Sequence, residues 1–134
     1  MSIAAIRQGL GTNLRTIAGL RVTETIPDNF SPPIAVISLS NVLYDESFQR
    51  GLTQYNFVVS AIVGRVAERE AQRRLDTYAS NGSASIKSAI ESDRTLGTAA
   101  YDVRVSEMTN IGAVVLGGDV TYLAADFAVS VYAE

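Results

Sequence analysis

The sequence predicts an α+β fold: one domain over residues 1–134, with a mostly antiparallel β-sheet and helices packed on it. The stretch Gln54–Tyr78 supports this, because it starts with the alternation of a strand, breaks at Gly64 and continues with the period of a helix. The predicted elements also fall in blocks: one helix, three strands, two helices and three strands. A chain of 134 residues is long enough to bury such a two-layer core.

The N-terminal segment predicts a helix and a short strand. Ser2 is a suitable N-cap for a helix over Ile3–Ala18, in which apolar residues recur on one stripe. Gly9 and Gly11 each weaken a helix by about 1 kcal/mol relative to alanine, so this helix needs stabilisation from packing. The alternation in Arg21–Ile26 predicts the first strand.

The next two strands predict a long hairpin. The first runs from Ile34 to about Tyr44 and the second covers Tyr55–Val63, with the polar connection Asp45–Thr53 between them. The second strand also carries apolar residues on its other face, so we expect it to be central and covered on both sides. The predicted inward residues are Ala35, Ile37, Leu39, Leu43, Tyr55, Phe57, Val59, Ala61 and Val63.

Two helices and three strands complete the predicted fold. The helices cover Val66–Tyr78 and Ser85–Ser92, and the strands cover Ala100–Thr109, Ile111–Leu116 and Val120–Ala133. The last strand is long, since strands average five or six residues. We expect it to need a partner along its whole length, which a second copy of the chain can supply.

The composition excludes several classes of function. The chain has no cysteine and no histidine, which removes disulfides, thiolate nucleophiles, the serine–histidine triad and the commonest ligands of transition metals. An enzyme built here would have to use carboxylates, arginine, tyrosine or serine, and no pattern of these residues assembles a nucleophile with a base. We therefore predict a protein that is not an enzyme and that uses no cofactor and no metal.

The charge pattern argues against a large nucleic-acid footprint. The net charge is −3, and the basic residues are ten arginines and the single lysine Lys87. Arginine is favoured over lysine in protein interfaces, although a GC-rich genome produces the same bias. No apolar run approaches the roughly 20 residues that span a bilayer, and the first ten residues lack a signal-peptide pattern, so we expect a cytoplasmic start and no membrane.

Six residues are candidates for contacts with another subunit or a partner protein. The adjacent carboxylates of Asp45 and Glu46 favour a solvated loop over a weak cation site. Phe48 lies in the same connection, where it either contacts another subunit or folds back on its own sheet. The candidates are Asp45, Glu46, Phe48, Arg50, Arg69 and Arg73.

The two arginines among these candidates share one face of the predicted Val66–Tyr78 helix. Arg69 and Arg73 repel each other mildly, and either solvent or an acidic group of a partner relieves that repulsion. On the same helix, Glu70 and Arg74 are spaced for a favourable pair.

The order of these segments resembles one protein family. The resemblance runs through nearly the whole chain and is specific as a series. It rests on LRTIAGLRVTETIPDNFSPPIAVI (Leu14–Ile37), YDESFQRGLTQYNFVVSAIVGR (Tyr44–Arg65), AEREAQRRLDTY (Ala67–Tyr78), SIKSAIESDRTLG (Ser85–Gly97), DVRVSEM (Asp102–Met108) and YLAADFAVSVYA (Tyr122–Ala133). The chain resembles the tail terminator proteins of long, non-contractile-tailed phages, especially those that infect actinobacteria.

The resemblance implies a structural virion protein made of a single tail-terminator-like domain. Such a subunit closes into a homo-hexameric ring on the head-proximal end of the tail tube and stops further addition of the major tail tube protein. It also presents the surface that joins the head through a head-completion or neck protein. DNA would pass through the lumen without specific binding. The protein would assemble in the host cytoplasm and reside in the neck region of the virion, with the six candidate residues at subunit or tube interfaces.

Two other interpretations stay open at this stage. Another phage neck protein, such as a head-closure or head–tail connector subunit, has a similar size and also forms rings. A small ligand-binding module would instead use the sheet as a platform and would need converging polar groups. Its candidate residues are Tyr55, Arg65, Tyr101 and Arg104.

Overall fold

The α+β prediction is confirmed by a computed structural model, which describes residues 2–17, 19–23, 33–44, 52–65, 69–80, 82, 85–116 and 120–133. Its three helices and five strands form one compact domain around a mixed, mostly antiparallel sheet. The elements are α1 (Ile3–Leu14), β1 (Arg21–Thr23), β2 (Ile34–Leu43), β3 (Thr53–Arg65), α2 (Arg69–Ala79), α3 (Ile86–Ile90), β4 (Asp102–Leu116) and β5 (Val120–Ala133).

The sheet has the strand order β1-β2-β3-β5-β4, and β3 lies at its centre as predicted. β1 pairs with β2 in parallel, and every other pair is antiparallel. The predicted hairpin of β2 and β3 is confirmed, with Ile34 opposite Ile62 at one end and Leu43 opposite Gln54 at the other.

The hydrophobic core lies between one face of the sheet and the three helices, and we call this the helix face. β3 contributes alternate residues to it from Tyr55 to Val63, and β5 does the same from Leu123 to Ala133. Ile6, Leu10 and Leu14 of α1 complete the core from the opposite layer. We call the other side of the sheet the open face, because no described helix packs on it.

The expected covering on both sides of β3 is found at only one end of the open face. There Ile34, Val36 and Ile62 are buried, although they lie outside the helix-face core. Further along β3, Asn56 and Val58 are half-buried and alternate with fully buried core residues. The mixed pattern of this strand predicted its central place in the sheet correctly, but no described helix forms the expected second layer on its open face.

Two β-bulges change predictions that rested on strict alternation. A register shift between Leu39 and Asn41 turns Val42 toward the core and leaves Leu43 40% exposed, so the predicted inward position of Leu43 is wrong. Likewise, the two predicted strands over residues 100–109 and 111–116 are a single strand, β4. Asn110 adopts a left-handed backbone (φ 53°) in its bulge, which asparagine tolerates better than most residues.

The N-terminal helix begins where the sequence predicts and ends earlier. The Ser2 hydroxyl accepts a hydrogen bond from the Ala5 amide at 3.1 Å, which confirms the predicted cap. The helix ends at Leu14, four residues before the predicted end. Gly9 gives the helix a close contact that propensity alone does not predict, because a Cβ there would lie 2.6 Å from Leu96 Cβ and 2.8 Å from Leu96 O.

We expect alanine to have opposite effects at the two glycines of α1. Gly9→Ala should lower the free energy of unfolding by about 1–3 kcal/mol, because the new methyl group meets backbone atoms of Leu96 that cannot move away cheaply. Gly11→Ala should raise it by about 0.5–1 kcal/mol, because its nearest neighbour is the flexible Arg15 guanidinium at 3.4 Å. Urea denaturation of both variants checks this, and a stabilised Gly9→Ala protein would contradict the close packing.

Candidate assembly surfaces

A network of side-chain hydrogen bonds crosses the open face at the centre of the sheet. Asn56 on β3 donates to Asn41 Oδ1 on β2 at 2.7 Å. Its own Oδ1 accepts from Gln54 Nε2 at 2.9 Å and from Ser130 Oγ on β5 at 3.1 Å. Because these amides and hydroxyls satisfy one another across three strands, the face is polar without carrying charge at this point.

A second network on the open face is centred on a carboxylate. Asp126 on β5 accepts from Ser60 Oγ on β3 at 2.7 Å and from Asn110 Nδ2 on β4 at 2.9 Å. Both carboxylate oxygens are therefore engaged by neutral donors of the neighbouring strands. The bulge at Asn110 supplies one of these donors, which gives that irregular position a structural role.

The charge on the open face is nearly balanced. Its charged residues in the described strands are Arg21, Arg65, Asp102, Arg104, Glu107 and Asp126, by their register positions. Asp102 is itself paired with Arg94 at 2.7 Å. Three acids and three bases spread over four strands make neither a basic stripe nor a strongly acidic one, so this surface offers nucleic acid only weak contacts.

One part of the β4 edge is capped by side chains of the α3 region. Glu91 Oε2 accepts from the Val105 amide at 2.9 Å, and Lys87 Nζ donates to the Val105 carbonyl at 3.4 Å. Lys87 and Glu91 also form an ion pair of 2.6 Å. These two side chains occupy both backbone groups that a neighbouring strand would use at this position, which is one way in which proteins protect a sheet edge.

The ionisation of Glu91 is tied to this cap. Burial raises the pKa of Glu91, but hydrogen bonds from Lys87 and from the Val105 amide outweigh it, together with the charges of Lys87 and Arg94. Its pKa in the folded protein therefore lies below the ordinary value. The carboxylate side chain is only 16% exposed.

We expect Glu91→Gln to lower the free energy of unfolding at pH 7 by about 1–2 kcal/mol, because hydrogen bonds to a charged group are lost. Since the folded pKa lies below the unfolded value of 4.5, the contribution of Glu91 is complete above that pH and disappears as pH falls through the folded pKa. Urea denaturation across acidic pH should show the two proteins converge. Glu107→Gln, at an exposed position of β4, is the control. If the stability difference between Glu91→Gln and the wild type were the same at low pH as at pH 7, the role of the carboxylate would be contradicted.

The remainder of the β4 edge has no such cap among the described residues. From Met108 to Leu116 the strand carries no charged residue and no proline. Ile111 is 59% exposed and Val115 is 62% exposed. An uncharged, apolar edge strand is an unusual feature for a free surface, because its backbone groups can pair with another chain.

The six predicted interface residues divide into two groups. Asp45, Glu46, Phe48 and Arg50 lie outside the described residues, so their contacts stay a prediction. Arg69 and Arg73 are exposed on α2, and Arg73 pairs with Glu70 at 3.1 Å. The predicted Glu70–Arg74 pair is not formed, because Arg74 instead donates to the Val63 carbonyl at 2.7 Å.

Arg73 lines a groove beside α2 of about 390 Å³, together with Arg74 and Tyr78. Burial raises the pKa of the Tyr78 hydroxyl, and the nearby Arg74 guanidinium partly offsets this. The groove also contains Glu70, so its charge is mixed. It is a place where an acidic side chain of a partner can meet Arg73, at the cost of the Arg73–Glu70 pair.

The four residues proposed for a ligand pocket do not come together. Tyr55 is buried on the helix face, whereas Arg104 is exposed and lies on the open face opposite Ser130. Arg65 ends β3 ten residues beyond Tyr55, which is roughly 33 Å along a strand. A single pocket cannot be built from these side chains.

Comparisons with known proteins add no family assignment: neither a scan against protein-family models nor a search of curated proteins finds a match to the chain. Within the described ranges, no helix is long and apolar enough to cross a membrane. The same residues contain no group of three or more acidic side chains arranged to hold a metal ion.

Proposed function

We propose that the chain is a structural subunit of a phage tail, the tail terminator. In this role, copies of the chain close into a homo-hexameric ring at the head-proximal end of the tail tube. The ring ends addition of the major tail tube protein and offers a surface to the head-completion or neck protein. The observation that carries the proposal is the one-sided sheet, which has all its described helices on one face and an open face that is balanced in charge and internally hydrogen-bonded.

The open face is suited to line the lumen of such a ring. DNA that must slide through a lumen should meet few cations, because each lysine or arginine on a phosphate adds to affinity. The open face carries three arginines, Arg21, Arg65 and Arg104, against three acids, and its central amides already satisfy one another. DNA would therefore pass without specific binding.

The mass of the purified protein tests the proposal first. A closed hexamer has six times 14.3 kDa, about 86 kDa, by light scattering. The protein should be measured alone and then with tail tubes assembled from a major tail tube protein of a long, non-contractile-tailed phage. A ring in solution, or a monomer that forms a ring on tube ends, is the expected result. A protein that never binds tube ends would overturn the terminator, and binding to head-side neck proteins alone would assign it to a connector or head-closure role.

Variants of the hairpin connection test the predicted interface residues. We expect Phe48→Ala and Arg50→Glu to weaken ring formation at least tenfold while the monomer stays folded, because the residues are predicted to meet a neighbour rather than the core. Arg15→Glu, at the exposed residue that follows α1, is the matched charge-reversal control. Circular dichroism checks the fold and light scattering checks the ring. Unchanged assembly in both variants would remove this connection from the interface.

A further inference from the structure

The uncapped stretch of β4 has a matching edge at the other side of the same chain. β1 is the opposite edge strand of the sheet, and no described strand pairs with its outer side. β1 runs parallel to β2, and three antiparallel pairs separate β2 from β4, so β1 and β4 run in opposite directions. When two copies stand side by side in the same orientation, β4 of one therefore meets β1 of the next as an antiparallel pair.

The two edges are also at the same height in the sheet. Following the register strand by strand, Thr23 on β1 is level with Thr109 on β4, and Arg21 is level with Gly112. The uncapped residues from Thr109 to Gly112 therefore lie level with β1, whereas the capped Val105 is level with Leu39 of β2, beyond the described residues of β1. The cap leaves open the part of the edge that is level with the described β1.

We infer that the outer edge of β4, at Thr109–Gly112 within the uncapped stretch, pairs with β1 of a second copy of this chain and continues the sheet from subunit to subunit. The inference deepens the proposed ring and rests on it. The contact is heterologous, because each copy uses β4 on one side and β1 on the other, and such contacts close into rings. Ile111, which is 59% exposed and lies between Thr109 and Gly112, becomes covered at the new junction.

A continuous sheet of this kind leaves an open passage. Six copies of five strands give thirty strands, and a spacing of 4.7–4.9 Å makes a closed sheet about 45 Å across between backbones. Barrels of 16–18 strands already enclose a water-filled channel. The one-sided sheet then places its three helices outside and its open face inside.

Engineered disulfides test the pairing, and the natural chain has no cysteine to interfere. Thr23→Cys and Thr109→Cys in one chain should cross-link neighbouring copies under mild oxidation, alone or on tube ends. Because the contact is heterologous, the denatured products should form a ladder that ends at the hexamer. Thr23→Cys with Val114→Cys covers a register shifted along the strand on the same face. No cross-link from either pair, at any concentration and with or without tubes, would overturn the inference.

Two controls separate this arrangement from others. Thr23→Cys with Thr77→Cys, which lies on exposed α2, should give no ladder. Thr109→Cys alone should remain monomeric after oxidation. A dimer from Thr109→Cys alone would mean that two β4 edges pair about a twofold axis, and this would overturn the β4–β1 contact.

A charge on the open edge gives an independent readout. Ile111→Lys should reduce the ring population at least tenfold with unchanged circular dichroism, and Ile3→Lys, at an exposed isoleucine of α1, should not. The two proposals fail in different ways. A cross-linked ladder without tube binding would keep the β4–β1 contact and remove the terminator. Tube-bound rings that resist Ile111→Lys and never cross-link would keep the terminator and remove the β4–β1 contact.

Discussion

Phe57→Ala should lower the free energy of unfolding by about 3–5 kcal/mol, the largest effect expected from a single substitution in this chain. Phe57 is 1% exposed at the centre of β3. Its register neighbours on β2 and β5 are Leu39 and Val129, so a truncated side chain leaves a cavity that rigid strands on both sides cannot close. A small domain has a total stability of about 5–15 kcal/mol, so the loss removes much of it.

Val58→Ala is the matched control for this prediction. Val58 is the next residue on the same strand, but its side chain lies half-buried on the open face. Its truncation should cost about 1 kcal/mol. Urea denaturation followed by circular dichroism measures both variants at equal protein concentration. Equal losses at the two positions would mean that the open face is covered as fully as the helix face, which contradicts the one-sided sheet.

Asn13→Asp should lower the free energy of unfolding by about 2–4 kcal/mol, because it removes a buried donor without changing the volume. Asn13 Nδ2 donates to the Ile90 carbonyl at 2.9 Å and to the Asp93 carbonyl at 3.0 Å. This amide ties α1 to the end of α3. An aspartate cannot donate, and its charge would face two carbonyl oxygens in a site that is only 6% exposed.

Two further variants isolate the amide of Asn13. Asn13→Ala should cost about as much, since it also leaves the two carbonyls unsatisfied, while Gln8→Ala on the exposed side of α1 should change stability by less than about 0.5 kcal/mol. Hydrogen exchange of the amides in α3 should rise in the Asn13 variants before global unfolding. If Asn13→Asp were as stable as the wild type, the prediction would be contradicted, and water would have to donate to the two carbonyls in place of the amide.

The helix-face core was predictable from the sequence, and the assembly surfaces were not. Alternation in Tyr55–Val63 identified the buried side of β3 without knowledge of its neighbours. By contrast, Val105 and Glu91 are fourteen residues apart, and nothing in their local pattern indicates that one caps the other. The sequence did contain one indication of this edge, because Met108–Leu116 carries no charged residue. It indicates a candidate assembly surface only once β4 is known to be the outermost strand.

The two bulges show where local pattern fails. Leu43 has the spacing of a core residue, but an extra residue after Leu39 moves Val42 into that position. Propensity likewise treats Gly9 and Gly11 as equivalent weak points, whereas Leu96 leaves no room for a side chain at Gly9. Both outcomes depend on a partner from a distant part of the chain, which periodicity does not contain.

The sequence by itself determined the α+β class, the hairpin of β2 and β3, the Ser2 cap and most of the core, because these depend on periodicity and on the chemistry of adjacent residues. The tertiary structure alone decided the strand order, the absence of a described helix on the open face and the matching heights of the β1 and β4 edges. These features arise from register and packing between segments far apart in the chain. They are also the features on which the proposed ring depends.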